Sequence, residues 1–308
     1  MLRAISDNYF AIQELRDSGY GDADFEVAKA PVEFRIPEYR GGTIEYPSKE
    51  VYYRTDTNEP IAVHGLRYKP LQYPEIIDKT RDMIERCNLD ATGIEENIQV
   101  SPNGGMCLVN YKLPAKEYET PDGDKGVIEV MALSSFNGVW SFILSLGFEQ
   151  GACLNSQIFI KNPASIYKAR HTYKLDIDKG VHVLGKTANI IEDEIELWHE
   201  WFATPVTDRA VARAFIEVSN YNDSFEDLMT DIKEYGKPTS TRNRTLVYLY
   251  DVYNSTYLPR MGRNKWALYN SITDWSTHAP SSSKNVIALS QRRTERATQA
   301  IDKYLLAA

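Results

Sequence analysis

The sequence predicts an α+β protein: an antiparallel β-meander with a packed helix in the N-terminal half, and a mostly helical C-terminal half. Two turn signatures and one helical period carry this expectation. Pro102-Asn103-Gly104 and Ser135-Phe136-Asn137-Gly138 each separate two apolar-rich runs, and Asn-Gly favours the positive φ of a tight hairpin. Ahead of them Ile76, Ile77, Thr80, Met83, Ile84 and Cys87 recur every three to four residues behind Pro74, whose fixed φ and missing N–H suit a first helical turn.

Taken in order, Leu2, Ile5, Phe10, Ile12 and Leu15 give a loose helical stripe over 2–15. Short extended runs at 32–36 and 44–54, separated by Pro37 and Gly41-Gly42, predict a two-stranded arm. After the Pro74 helix, strands are expected at 98–101, 105–113, 127–133 and 139–146. Pro121-Asp122-Gly123-Asp124 joins the two hairpins, so its acids serve the turn. The stripe Leu184, Thr187, Ile190, Ile191, Ile195, Trp198, Trp201 and Phe202 predicts one long helix over 181–202, with Glu192, Asp193, Glu194 and Glu200 largely off that stripe. Thr207 is placed to cap a helix over 208–218. Ser224 and Asp227 have capping-box spacing before another, which Gly236 ends. Further helices are expected at 246–257, 265–277 and 285–306. Two regions follow: an α+β sheet domain over 1–165 and a mainly helical region over 166–308, packed with it as one unit or divided from it near 162–175.

Several chemistries lack their motifs. No GxGxxG, GxxxxGK[ST] or GxSxG occurs, no CxxC or HxxxH offers zinc spacing, and His199-Glu200 lacks the second histidine of HExxH. Cys87, Cys107 and Cys153 sit among apolar neighbours and read as reduced core thiols. The longest apolar run falls far short of the roughly 18 residues of a membrane span, and the N-terminus lacks the pattern of a secretory signal. The expectation is a cytoplasmic protein that takes no cofactor or metal and meets no membrane.

Charge is distributed unevenly. The net value is −8, but residues 237–308 carry 11 Lys and Arg against 4 Asp and Glu, net +7. The remaining 236 residues hold 24 basic and 39 acidic side chains, net −15. A basic module follows an acidic body. Within it Arg242 and Arg244 precede a tyrosine-rich stretch with Tyr248, Tyr250, Tyr253 and Tyr257. Arg260, Arg263 and Lys265 adjoin Trp266, and Arg292, Arg293 and Arg296 lie on the last helix. Cations that track phosphates, with outward aromatics for base stacking, are what single-strand binding requires. The competing reading is that the aromatics are core and the cations pair with the acidic body.

Several blocks resemble the phage- and plasmid-borne family called domain of unknown function 932. They are Leu66-Arg67-Tyr68-Lys69-Pro70-Leu71-Gln72-Tyr73, the stretch from Gly104 to Pro114, Gly123-Asp124-Lys125, Leu133 to Gly138, Ala152 to Asn155, and Trp266 to His278. The resemblance implies a phage or mobile-element origin and brings no catalytic residues with it. A fold-level analogy reaches further, to phage single-strand annealing proteins, which also pair a curved antiparallel sheet with a helix and need no cofactor. The leading expectation is a non-enzymatic, homo-oligomeric phage protein that binds or anneals single-stranded DNA through Arg242, Arg244, Arg260, Arg263, Lys265, Arg292, Arg293 and Arg296, with Trp266 or a tyrosine stacking on bases. Two alternatives stand beside it. One is a structural or host-defence-interaction protein that meets a host partner through its acidic surface, with the helix face at 192–200 as first candidate. The other is a metal-dependent nuclease with scattered carboxylates.

Overall fold

A computed structural model describes residues 2–36, 42–87, 89–150, 155–158, 166–170, 176–188, 191–240, 243–280 and 286–306. Its contacts divide the chain into two compact units. The first holds Met1–Lys116, Glu129–Leu146 and Ala164–Ala188, and the second Glu117–Ile128, Gly147–Pro163 and Asn189–Ala308. The class is α+β, with strands concentrated in the N-terminal half and helices after residue 176.

The first unit opens with α1 (Leu2–Asp17) and a three-stranded antiparallel sheet of β1 (Val27–Phe34), β2 (Ile44–Arg54) and β3 (Pro60–Gly65). The expected two-stranded arm thus gains a third strand. Helix α2 (Tyr73–Arg86) starts with Pro74 in its first turn and buries Ile76, Ile77, Thr80, Met83 and Ile84, the face its spacing predicts.

The second sheet runs in the order β4 (Glu95–Val100), β5 (Met106–Glu119), β6 (Lys125–Ser135), β7 (Phe142–Gln150), β8 (Asn155–Ile158), with β9 (Ile166–Ala169) also paired to β7. Strands β5, β6 and β7 contribute residues to both units. In the first unit α2 packs on this sheet. The Tyr73 and Phe136 rings lie 4.4 Å apart, and the Tyr111 hydroxyl donates to the Ile77 carbonyl at 3.5 Å. Arg81 is fully buried on α2, where Glu96 of β4 receives its Nε and Nη2 at 3.0 and 2.6 Å. Burial works against that charge, but the Glu96 hydrogen bonds and Coulomb attraction outweigh it and raise the guanidinium above its ordinary pKa.

Gly104 closes the first hairpin at φ +73°, and a Cβ there would lie 3.0 Å from both Arg54 Cδ and Phe25 Cζ. Gly104→Ala combines left-handed backbone with that crowding. It is expected to destabilise the protein by about 1–2 kcal/mol, read as a lower urea midpoint at unchanged m.

Cys87 and Cys107 are free and buried, and burial lifts their thiols to about 11 and about 12. Cys153 lies outside the described residues. Iodoacetamide at pH 8 is expected to leave Cys87 and Cys107 unlabelled until the protein unfolds. Because both folded pKa values exceed the ordinary 9.0, their contribution to stability is complete below pH 9. It is lost as pH rises through about 11 and about 12, so a denaturation series should show stability falling in that window.

The helix expected over 181–202 is assigned as two, α3 (Ile177–Ala188) and α4 (Ile191–Ala203), with 189–190 outside the described residues. In the first unit Gly180 lets α3 approach α2 closely, since a Cβ there would meet Met83 Sδ at 2.3 Å. The second unit continues with α5 (Asp208–Ser219), capped by the Thr207 hydroxyl accepting from Ala210 N at 3.2 Å. Next comes α6 (Phe225–Tyr235), capped by Ser224 and ended by Gly236 at φ +74°. Helix α7 (Arg244–Val252) passes into a π turn, Tyr253–Tyr257, then α8 (Leu258–Met261), α9 (Lys265–His278) and α10 (Val286–Ile301), which ends in a second π turn, Asp302–Leu306. Among the described residues no helix is long and apolar enough to cross a membrane.

Candidate nucleic-acid interface

All the predicted site residues belong to the second unit, and the structure divides them by role. Arg260 pairs with Asp122 at 2.9 Å and Asp124 at 2.5 Å, so the acids of that turn hold an arginine. Arg263 pairs with Asp208. Lys265 donates to the Leu305 carbonyl at 2.9 Å and so ties α9 to the C-terminal π turn. These three cations are engaged within the fold.

Trp266 corrects the expectation of an outward stacking aromatic. It is 0% exposed, stacked 5.3 Å from Tyr269 and tilted 5.2 Å from Trp198, with its indole N–H donated to Asp122 at 2.9 Å. A side chain enclosed on all sides has no face to offer a base. Tyr250, Tyr253 and Tyr257 are buried as well, while Tyr248 is half-buried. Arg242 lies outside the described residues.

The remaining cations lie on α7 and α10. Asp274 of α9 accepts the Tyr248 hydroxyl at 2.6 Å and the Tyr257 hydroxyl at 2.8 Å, which anchors α7 and the π turn to the middle of α9. The next residue, Trp275, lies under two guanidiniums of α10, Arg293 at 5.7 Å and Arg296 at 5.6 Å from its ring centre. Three residues apart, these arginines share one side of α10. Arg293 also donates to the Ala279 and Pro280 carbonyls at the end of α9, at 2.5 and 3.2 Å. Burial, with a further contribution from the Asp274 hydrogen bond, raises the Tyr248 pKa, and the Arg293 charge acts against that rise.

Arg244 sits one turn before Tyr248 on the same side of α7, and Arg292 precedes Arg293; both are exposed. Among the described residues, no carboxylate forms an ion pair with Arg244, Arg292, Arg293 or Arg296. The candidate site is therefore Arg293 and Arg296 on Trp275, with exposed Arg292 on the same helix and Arg244 on α7, in a chain of net charge −8.

The acidic body has a feature of its own. In the first unit a cleft of about 800 Å³ is lined by Asp24, Glu26, Asp56, Glu75, Asp78 and Asp82, among other residues. Much of that charge is engaged, with Asp56 on Arg54, Glu75 on Lys79 and Asp82 on Arg16. On α4, the first acidic face considered, Glu194 is only 3% exposed. Among the described residues, no three His, Cys, Asp or Glu gather as a metal site.

A family model described as Domain of unknown function (DUF932) matches residues 60–304. The chain belongs to this family. The DUF932 span takes in every predicted site residue and leaves α1, β1 and β2 ahead of it. In the first unit, the blocks through which the DUF932 resemblance is read pack against one another. The Tyr68 hydroxyl donates to Ser135 O at 2.8 Å, Tyr73 to Gly104 O at 3.0 Å, and Phe136 N to Gly105 O at 2.9 Å. Those motif residues lock the two hairpin turns together. No curated protein and no solved structure matches the chain.

Proposed function

We propose that this protein binds single-stranded DNA without catalysis, as a phage or mobile-element strand-binding or annealing protein, through the α7–α10 face. The observation that carries the reading is the division among the cations: Arg260 and Arg263 are neutralised by carboxylates, whereas among the described residues Arg293 and Arg296, which lie on Trp275, and the exposed Arg244 and Arg292 form no ion pair with one. Guanidiniums that lack internal anions, exposed at Arg244 and Arg292, suit a phosphodiester backbone. Their planar faces also stack on bases, which supplies the contact that buried Trp266 does not.

The test is fluorescence anisotropy of a labelled oligothymidine over increasing salt. Binding is expected to weaken steeply with salt, and each of Arg244→Ala and Arg292→Ala should flatten the log–log slope by about 0.7. Absence of binding at low salt removes the reading. Assembly as a homo-oligomer on the strand belongs to the same proposal, and sedimentation with and without oligonucleotide tests it.

The acidic cleft favours a second reading, a protein partner with a basic surface, such as a host factor. A pull-down from host lysate that returns no stoichiometric partner counts against it.

A further inference from the structure

We infer that Arg296 is the receptor for one phosphate group of the bound strand, parked in the free protein with its donor fork turned inward over Trp275. The inference rests on the single-strand reading and narrows it from a basic face to one residue and one chemical group.

Nε and Nη2 lie on one edge of a guanidinium, and their N–H bonds run parallel at the spacing of two oxygens of one oxyanion. In Arg296 both atoms are shielded from solvent, and neither has a protein acceptor. The chain treats its other buried guanidiniums differently. Arg81 has the same edge filled by both oxygens of Glu96, and Arg293 donates to two carbonyls at the end of α9. For Arg296 the compensation at hand is the Trp275 ring face at 5.6 Å. Burial pulls its pKa down with no anion acting the other way.

A desolvated donor pair without an acceptor is unfavourable where it lies. Arg296 as a residue is nonetheless only half-buried, so rotation about its own side-chain torsions turns the fork outward while α10 stays in place. Exposed Arg292 lies one turn earlier on the helix, and Arg293 shares the Trp275 ring. A field of three guanidiniums matches a phosphate within a polyanion better than an isolated carboxylate.

Arg296→Lys tests this because it keeps the charge and removes the fork. Thermal unfolding is followed with inorganic phosphate replacing chloride at constant ionic strength, and oligothymidine affinity is measured over salt. For wild type, phosphate is expected to raise the melting temperature, and that rise should disappear in Arg296→Lys and Arg296→Gln. Strand affinity should fall about tenfold in Arg296→Lys with its salt slope unchanged, the signature of a lost bidentate contact rather than a lost charge. A phosphate-dependent rise that persists in both variants overturns the inference, as does wild-type strand affinity in Arg296→Lys. If phosphate stabilises wild type and not the variants while no strand binds, the phosphate receptor stands and the single-strand reading falls.

Discussion

Trp266→Ala is expected to destabilise the protein by about 3–5 kcal/mol, the range for removing a large aromatic from a close-packed core. Its indole is fully enclosed between Tyr269 and Trp198. The loss extends beyond packing. The indole N–H also donates to Asp122, whose side chain is 2% exposed and in turn holds Arg260. Alanine therefore leaves a cavity and takes one donor from a buried acid. Trp266→Phe retains most of the ring contact and loses only that donor, so its effect should be smaller, about 1–3 kcal/mol. Urea denaturation checks both. An alanine variant with the wild-type midpoint and impaired strand binding would return Trp266 to the interface and contradict the core assignment.

That residue also shows where sequence reading stops. Helix α9 carries Asn270, Ser271, Thr273 and Ser276 among its apolar residues, which reads as a half-exposed helix, yet all four are buried. Each turns its side chain back on its own helix: Asn270 donates to Trp266 O, Ser271 to Ala267 O, Thr273 to Tyr269 O and Ser276 to Thr273 O. Small polar groups bonded back in this way can enter a core. Binary patterning has no means of registering that.

Local chemistry was legible. Helix α2 follows from Pro74 and its three-to-four spacing, the hairpins from Asn103-Gly104 and Asn137-Gly138, and the caps of α5 and α6 from Thr207, Ser224 and Gly236. For the site, composition located the basic quarter but not its internal division. Arg260 finds Asp122 and Asp124 well over a hundred residues away, and Arg263 finds Asp208 from another helix. Such pairings depend on tertiary placement. Trp275, on which Arg293 and Arg296 lie, could have been suspected only from the i, i+3 spacing of those arginines, which marks a shared side without naming what it faces.

Glu96→Gln carries an effect of similar size in the first unit. Arg81 is 0% exposed and Glu96 5%, and they meet through two hydrogen bonds. Such a pair gains little over apolar residues of the same size, because desolvation offsets most of its attraction. Breaking it from one side is different, since the surviving charge stays buried without its partner. Arg81 would keep the Gly19 carbonyl at 2.8 Å and a long contact to Asp78 at 3.4 Å, neither of which replaces a carboxylate fork. A loss of about 3–5 kcal/mol is therefore expected for Glu96→Gln. The double variant Arg81→Met with Glu96→Met should recover most of it, because no charge is then left behind. Denaturation of the single and double variants separates the two accounts. A Glu96→Gln midpoint equal to wild type, or a double variant no more stable than the single one, would show that Arg81 is satisfied by something other than Glu96.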